Sequence, residues 1–99
     1  MIGTLNQIEM AEQIRPLVDA EFERVARAFR EVAERQAGVQ QDDTRAVLKI
    51  LEEKRIEVMA RPEAGYFIRE WRELGGQVRG IIALDPRYQA IQAGRQGRV

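Results

Sequence analysis

The residues best suited to binding chemistry are arginines and glycines on one face of a predicted third helix. Small residues let another backbone approach closely, and planar guanidinium groups pair with carboxylates or phosphates. Three interpretations stay open for this face: an ordinary solvated surface, a protein interface, or a nucleic-acid surface. The face comprises Gly65, Arg69, Arg72, Gly76, Arg79 and Gly80.

Two further groups of residues are candidates for binding. Arg55 falls inside the apolar stripe of the predicted second helix, where an arginine commonly lays its stem on the core. Arginine is also enriched where partners meet, and Ile56 beside it falls on the polar side. We therefore add both to the candidate interface. A second candidate, a basic tail for nucleic acid, comprises Arg87, Arg95 and Arg98, which supply the one local basic excess.

Catalytic chemistry has little support in this sequence. Cysteine and histidine are both absent, which excludes Cys- or His-based zinc sites and histidine acid–base catalysis. Asp42 and Asp43 are explained as helix caps, and no glycine-rich phosphate loop follows a strand. We predict a non-enzymatic protein with no catalytic residues, no cofactor and no metal.

Composition predicts one small folded domain with no net charge to attract it to nucleic acid or membranes. The chain has 99 residues, with 16 basic and 16 acidic side chains. Zero net charge leaves little repulsion between copies and so permits self-association. The sequence shows neither the pattern of a signal peptide nor an apolar run long enough to span a membrane. We expect a cytoplasmic protein that does not engage membranes.

The first predicted helix, over residues 5–37, is the longest element. Thr4 and Gln7 have the spacing of a capping box, and Gly38 is placed to end the helix. Pro16 is expected to kink the helix near Arg15. At about 1.5 Å per residue the helix would be about 50 Å long, so either it bends or one end is covered by another chain. Its apolar stripe is Ile8, Ala11, Val18, Phe22, Val25, Phe29 and Val32.

Three shorter helices are predicted after it. The second covers residues 44–60 behind an Asp42 or Asp43 cap. The third covers residues 62–84 and is weakened at Gly75 and Gly76, each of which costs about 1 kcal/mol relative to alanine. An alternative ends the third helix at residue 74 and places a strand over 78–84. A short helix begins at Asp85 and Pro86 and ends near Gly94.

These patterns predict an all-α protein, an antiparallel bundle of three main helices with a short C-terminal helix. Residues 1–94 form the domain, and residues 95–99 form the basic tail. Three apolar residues lie beside the main stripes and would gain from a partner: Met10, Leu17 and Ile56. We therefore predict a protein–protein interaction or assembly protein, either a homo-oligomer or a subunit or inhibitor docking on a larger complex. The alternative is a nucleic-acid-binding accessory protein that uses the Arg/Gly face and the basic tail.

Overall fold

The computed structural model describes residues 1–97, and these residues form five helices. They are α1 (Leu5–Glu34), α2 (Gly38–Met59), α3 (Ala64–Glu70), α4 (Leu74–Ala83) and α5 (Pro86–Gly97). The helices pack against one another, with α1 contacting α2, α3 and α4. The all-α helical bundle predicted from the sequence is confirmed.

Helix α1 forms the long axis of the molecule. The predicted capping box is present, because the Thr4 hydroxyl accepts from the Gln7 amide at 3.2 Å and the Gln7 side chain accepts from the Thr4 amide at 2.9 Å. The helix continues through Pro16, so the proline does not split it; the kink stays a prediction. Thirty residues extend about 45 Å, most of the 53 Å length of the molecule.

Helices α1 and α2 are antiparallel neighbours. Arg15 in the first half of α1 donates to the carbonyl of Met59 at the end of α2, at 2.8 Å. At the other end, the Gln41 side chain near the start of α2 donates to the carbonyl of Ala33, at 2.9 Å. Hydrogen bonds to Met59 and Ala33 therefore join the two helices near both ends of α2.

The core lies along the inner face of α1. Phe22 is 1% exposed and its ring centroid lies 5.8 Å from that of Trp71, with the rings tilted by 54°. The Trp71 ring nitrogen is buried without a hydrogen-bond partner among the described residues, so packing holds this side chain. The buried cluster comprises Ala11, Val18, Phe22, Val25, Val47, Leu51, Val58, Ala64, Phe67, Trp71, Val78 and Ile82.

The predicted start of the second helix is wrong. Helix α2 begins at Gly38, not near residue 44, so Asp42 and Asp43 lie inside it and do not cap it. Gly38 has a φ of 60°, a left-handed conformation that glycine adopts without steric cost. The Thr44 hydroxyl on α2 donates to the Gln36 side chain at 2.6 Å. This hydrogen bond links α2 to the short connection that follows α1.

The predicted third helix is also wrong, since it is two helices separated by residues 71–73. Trp71 leaves the helical conformation, with φ −112° and ψ 58°, and its ring is buried against Phe22. Gly75 and Gly76 consequently fall in the first turn of α4, not in mid-helix. The alternative strand over residues 78–84 is excluded as well, because α4 extends to Ala83.

The first residues of the chain and the end of α5 differ from the sequence prediction. Ile2 forms a parallel bridge beside Glu63, donating to the Pro62 carbonyl at 2.7 Å and accepting from the Ala64 amide at 2.8 Å. Helix α5 continues past Gly94 to Gly97. The first residues of the predicted tail are therefore helical, and the remainder of that tail lies outside the described residues.

Two glycines give a matched test of these backbone assignments. Gly80 is inside α4, and a Cβ added there would meet no atom within 4 Å. We expect Gly80→Ala to raise the free energy of unfolding by about 0.5–1 kcal/mol. Gly38→Ala should lower it by about 1–2 kcal/mol, because of the positive φ. Denaturant unfolding followed by circular dichroism checks both; stabilisation by Gly38→Ala would contradict the turn.

Candidate functional site

The predicted Arg/Gly face is carried by two helices instead of one. Gly65 and Arg69 lie on α3, whereas Gly76, Arg79 and Gly80 lie on α4. The Arg69 guanidinium folds back over Gly65, where it would obstruct an added Cβ. Gly76 and Gly80 are open to solvent. Arg72 lies in the break between the two helices.

The three arginines of this face have different surroundings. The guanidinium carbon of Arg79 lies 5.4 Å from the ring centroid of Phe29 on α1, and the charge of Arg79 contributes to lowering the pKa of Glu21, after the larger effect of the Glu21–Arg24 hydrogen bond. The pKa of Glu63 is lowered by a backbone hydrogen bond and by the Arg61 side chain, and the charge of Arg69 adds the smallest contribution. Arg79 therefore already has partners within the fold.

Arg72 borders an open depression of about 500 Å³ between α3 and α4. Two carboxylates, Glu70 and Glu73, line the same depression with Gly76 and Gln77. One guanidinium among two carboxylates leaves the rim net negative, which disfavours a phosphate ligand. The depression does not support the nucleic-acid interpretation of the face.

Arg55 bridges α2 and α1. Its guanidinium donates to Glu52 at 2.6 and 2.9 Å and to Asp19 on α1 at 3.2 Å. The hydrogen bonds from Arg55 lower the pKa of Glu52, and those to Glu52 and Asp19 raise the pKa of Arg55. Its side chain is 35% exposed, so Arg55 is half-buried and already paired. The neighbouring Ile56 is 55% exposed.

Arg87 belongs to a charged cluster that joins α5 to α2, which we call the N-terminal clamp: Glu53, Lys54, Asp85 and Arg87. Arg87 contacts Glu53 at 2.5 Å and Asp85 at 3.1 Å, and Lys54 lies 3.4 Å from Asp85. Asp85 also caps α5, accepting from the Arg87 amide at 2.8 Å. Hydrogen bonds from the Arg87 side chain hold the pKa of Asp85 well below its usual range.

Arg95 forms a second link between α5 and α2, which we call the C-terminal clamp: Asp43, Thr44 and Arg95. Arg95 donates to the Thr44 hydroxyl at 2.9 Å and lies 3.7 Å from the Asp43 carboxylate. Two arginines of the predicted basic tail, Arg87 and Arg95, are thus engaged within the fold. The third, Arg98, lies outside the described residues.

Helix α1 carries two exposed apolar side chains on either side of a third that packs partly against the core. Met10 is 50% exposed and Leu17 is 55% exposed, with the half-buried Ile14 between them. Spacings of four and three residues place these side chains in one stripe, which we call the α1 flank: Met10, Ile14 and Leu17. The exposure of Met10, Leu17 and Ile56 agrees with their position beside the predicted core stripes.

Other exposed apolar residues were missed or misplaced by sequence reasoning. Val32 belongs to the predicted core stripe but is 44% exposed, and Leu84 is 78% exposed between α4 and α5. Helical periodicity alone does not reveal these exposures, because it shows which residues share a face but not how far a partner helix extends. Also exposed are Met1, Ile2, Leu5 and Val39.

Comparisons with protein-family models, curated proteins and solved structures found no match to this chain. None of the helices described in residues 1–97 has the length and apolarity needed to cross a membrane. Over the same residues, acidic side chains do not converge in a group of three that could hold a metal ion.

The N-terminal clamp predicts a specific pH dependence. A carboxylate with a lowered folded-state pKa stabilises the fold above its unfolded pKa, and this stabilisation is lost as pH falls through the folded pKa. Asp85→Asn keeps the helix cap but removes the charge. We expect the variant to be less stable at neutral pH and the difference in free energy of unfolding to shrink below about pH 4.

Denaturant titrations at several pH values measure this difference while both proteins remain folded. Asp42→Asn, at an exposed position on α2 outside the clamp, is the matched control. A difference for Asp85→Asn that stays constant with pH would contradict the charged clamp.

Proposed function

We propose that this protein is a non-enzymatic interaction protein that self-associates through the α1 flank. The observation that carries the proposal is the exposure of Met10 and Leu17, at 50% and 55%, on the helix that also anchors the core. Single exposed apolar residues are normal on any protein. A row at helical spacing is the pattern by which one helix docks on another.

The geometry of the α1 flank suits pairing between two copies. In a twofold dimer the same surface is used by both subunits. Two antiparallel α1 helices would place Met10 of one copy near Leu17 of the other, with Ile14 at the centre. Full burial of such a side chain contributes about 1.5–3 kcal/mol. Because the net charge of the chain is zero, electrostatic repulsion between two copies is weak.

The arginine contacts support a protein partner over nucleic acid. Arg55, Arg87 and Arg95 are paired with side chains of α1 or α2. A nucleic-acid surface needs clustered cationic side chains that are free to neutralise phosphates. Arg69 and Arg72 remain exposed, but Arg72 borders two carboxylates. The nucleic-acid alternative therefore has less support than self-association.

A larger assembly could use the same α1 flank. A structural subunit or an inhibitor would bury Met10 and Leu17 against a different protein instead of a second copy. A cytoplasmic location remains part of this proposal, in keeping with a chain of 32% charged residues.

Molar mass by light scattering, over a range of protein concentrations, tests the proposal. We expect the wild-type protein to show a concentration-dependent dimer or higher oligomer. Leu17→Glu should shift the mass to the monomer, because it places a charge in the buried contact. Its circular dichroism should stay unchanged, because Leu17 is half exposed within one chain.

Two variants at equally exposed positions show whether the effect of an added charge is specific to the α1 flank. Val39 at the start of α2 and Ile56 near its end are each 55% exposed, as Leu17 is. Val39→Glu should leave the oligomer intact. Loss of association in Ile56→Glu but not in Leu17→Glu would move the contact to α2. A wild-type monomer at all concentrations would refute self-association and leave a different protein as the partner.

A further inference from the structure

Helix α5 is attached more weakly than the other helices. Among the described residues it packs only against α2 and α4, and none of its side chains is fully buried. Its apolar contact with the core comes from Tyr88 and Ile91, both partly buried. Helices in proteins owe most of their stability to packing of an apolar face, and α5 has little of such packing.

Charged and polar contacts hold both ends of α5 to α2. At its start, Arg87 meets Glu53 at 2.5 Å, within the N-terminal clamp. At its end, Arg95 meets the Thr44 hydroxyl at 2.9 Å, within the C-terminal clamp. The side chain of Arg87 is 52% exposed and that of Glu53 is 43% exposed, so dissolved salt screens their attraction.

We propose that α5 is a detachable strap, which opens and closes over α2 as one unit while α1 to α4 stay folded. The connection at Leu84 and Asp85 acts as the hinge. A released helix of this length is marginal in water, and Gly94 and Gly97 weaken it further. The open state is therefore an unfolded strap, and a higher ionic strength makes it form more often by weakening the exposed Arg87–Glu53 pair.

Opening of the strap would uncover a surface on α2 that the closed state protects. Ile50 is 4% exposed and Thr44 is 1% exposed in the closed molecule. Ile50 lines a shallow groove of about 440 Å³ together with Ala46 on α2 and with Ala90 and Ile91 on α5. This inference does not depend on self-association, because the strap uses none of the α1 flank residues.

Amide hydrogen exchange measured by NMR on the full chain tests the proposal. We expect amides in the middle of α5 to exchange faster than those of Val18, Phe22 and Val25 in the core of α1. Raising the salt from about 0.02 M to about 0.5 M should accelerate the α5 amides several-fold, since the Debye length shortens. The α1 amides serve as the internal reference and should not change.

Two substitutions remove one clamp contact each. Glu53→Gln should speed exchange in α5 by about 1.5- to 5-fold, the range expected for an exposed ion pair. Arg95→Gln should speed it by at least as much, because the contacts of Arg95 with Thr44 and Asp43 are partly buried. Arg30→Gln is the matched control, because it removes the exposed Arg30–Glu23 pair within α1; it should leave α5 unchanged.

Exchange of α5 and α1 amides at one common rate would overturn the proposal, since the strap would then open only on global unfolding. Exchange in α5 that is insensitive to salt would overturn its ionic control. If a clamp variant unfolds the whole protein, the wild-type salt series alone decides between these results.

Discussion

Burial of the apolar stripe of α1 is the constraint on which the rest of the fold depends. Phe22 lies at its centre, and α2, α3 and α4 each pack against the helix that carries it. Truncating such a buried aromatic costs about 3–5 kcal/mol, against a total stability of about 5–15 kcal/mol for a typical domain. The break between α3 and α4 contributes to the burial of this stripe, because the Trp71 ring packs against Phe22 at that point.

Charged side chains play a secondary and different part. Arg55 joins α2 to α1, and Arg87 and Arg95 join α5 to α2. These arginines are committed within the fold, so the surface available to a partner is defined more by apolar side chains than by charge. The proposed self-association and the proposed opening of α5 would therefore use different residues and different forces.

The sequence predicted the features that local patterns determine. The capping box at Thr4, the apolar stripe of α1 and the exposure of Leu17 all follow from short-range spacing. The start of α2, the break at Trp71 and the extension of α5 to Gly97 did not follow from such spacing, because each depends on side-chain contacts between different elements. Gln41 closes the first connection, Phe22 receives the Trp71 ring, and Thr44 anchors Arg95. The partners of the candidate arginines were hidden for the same reason.

The fluorescence of Trp71 tests the central claim most directly, since it is the one tryptophan in the chain and is 3% exposed against Phe22. The structure predicts a blue-shifted emission that resists acrylamide quenching. The emission should shift to its exposed value in the same denaturant transition that removes most of the helical circular dichroism. An emission typical of exposed tryptophan in native buffer, while the helical signal is intact, would contradict the packing of α3 and α4 on α1.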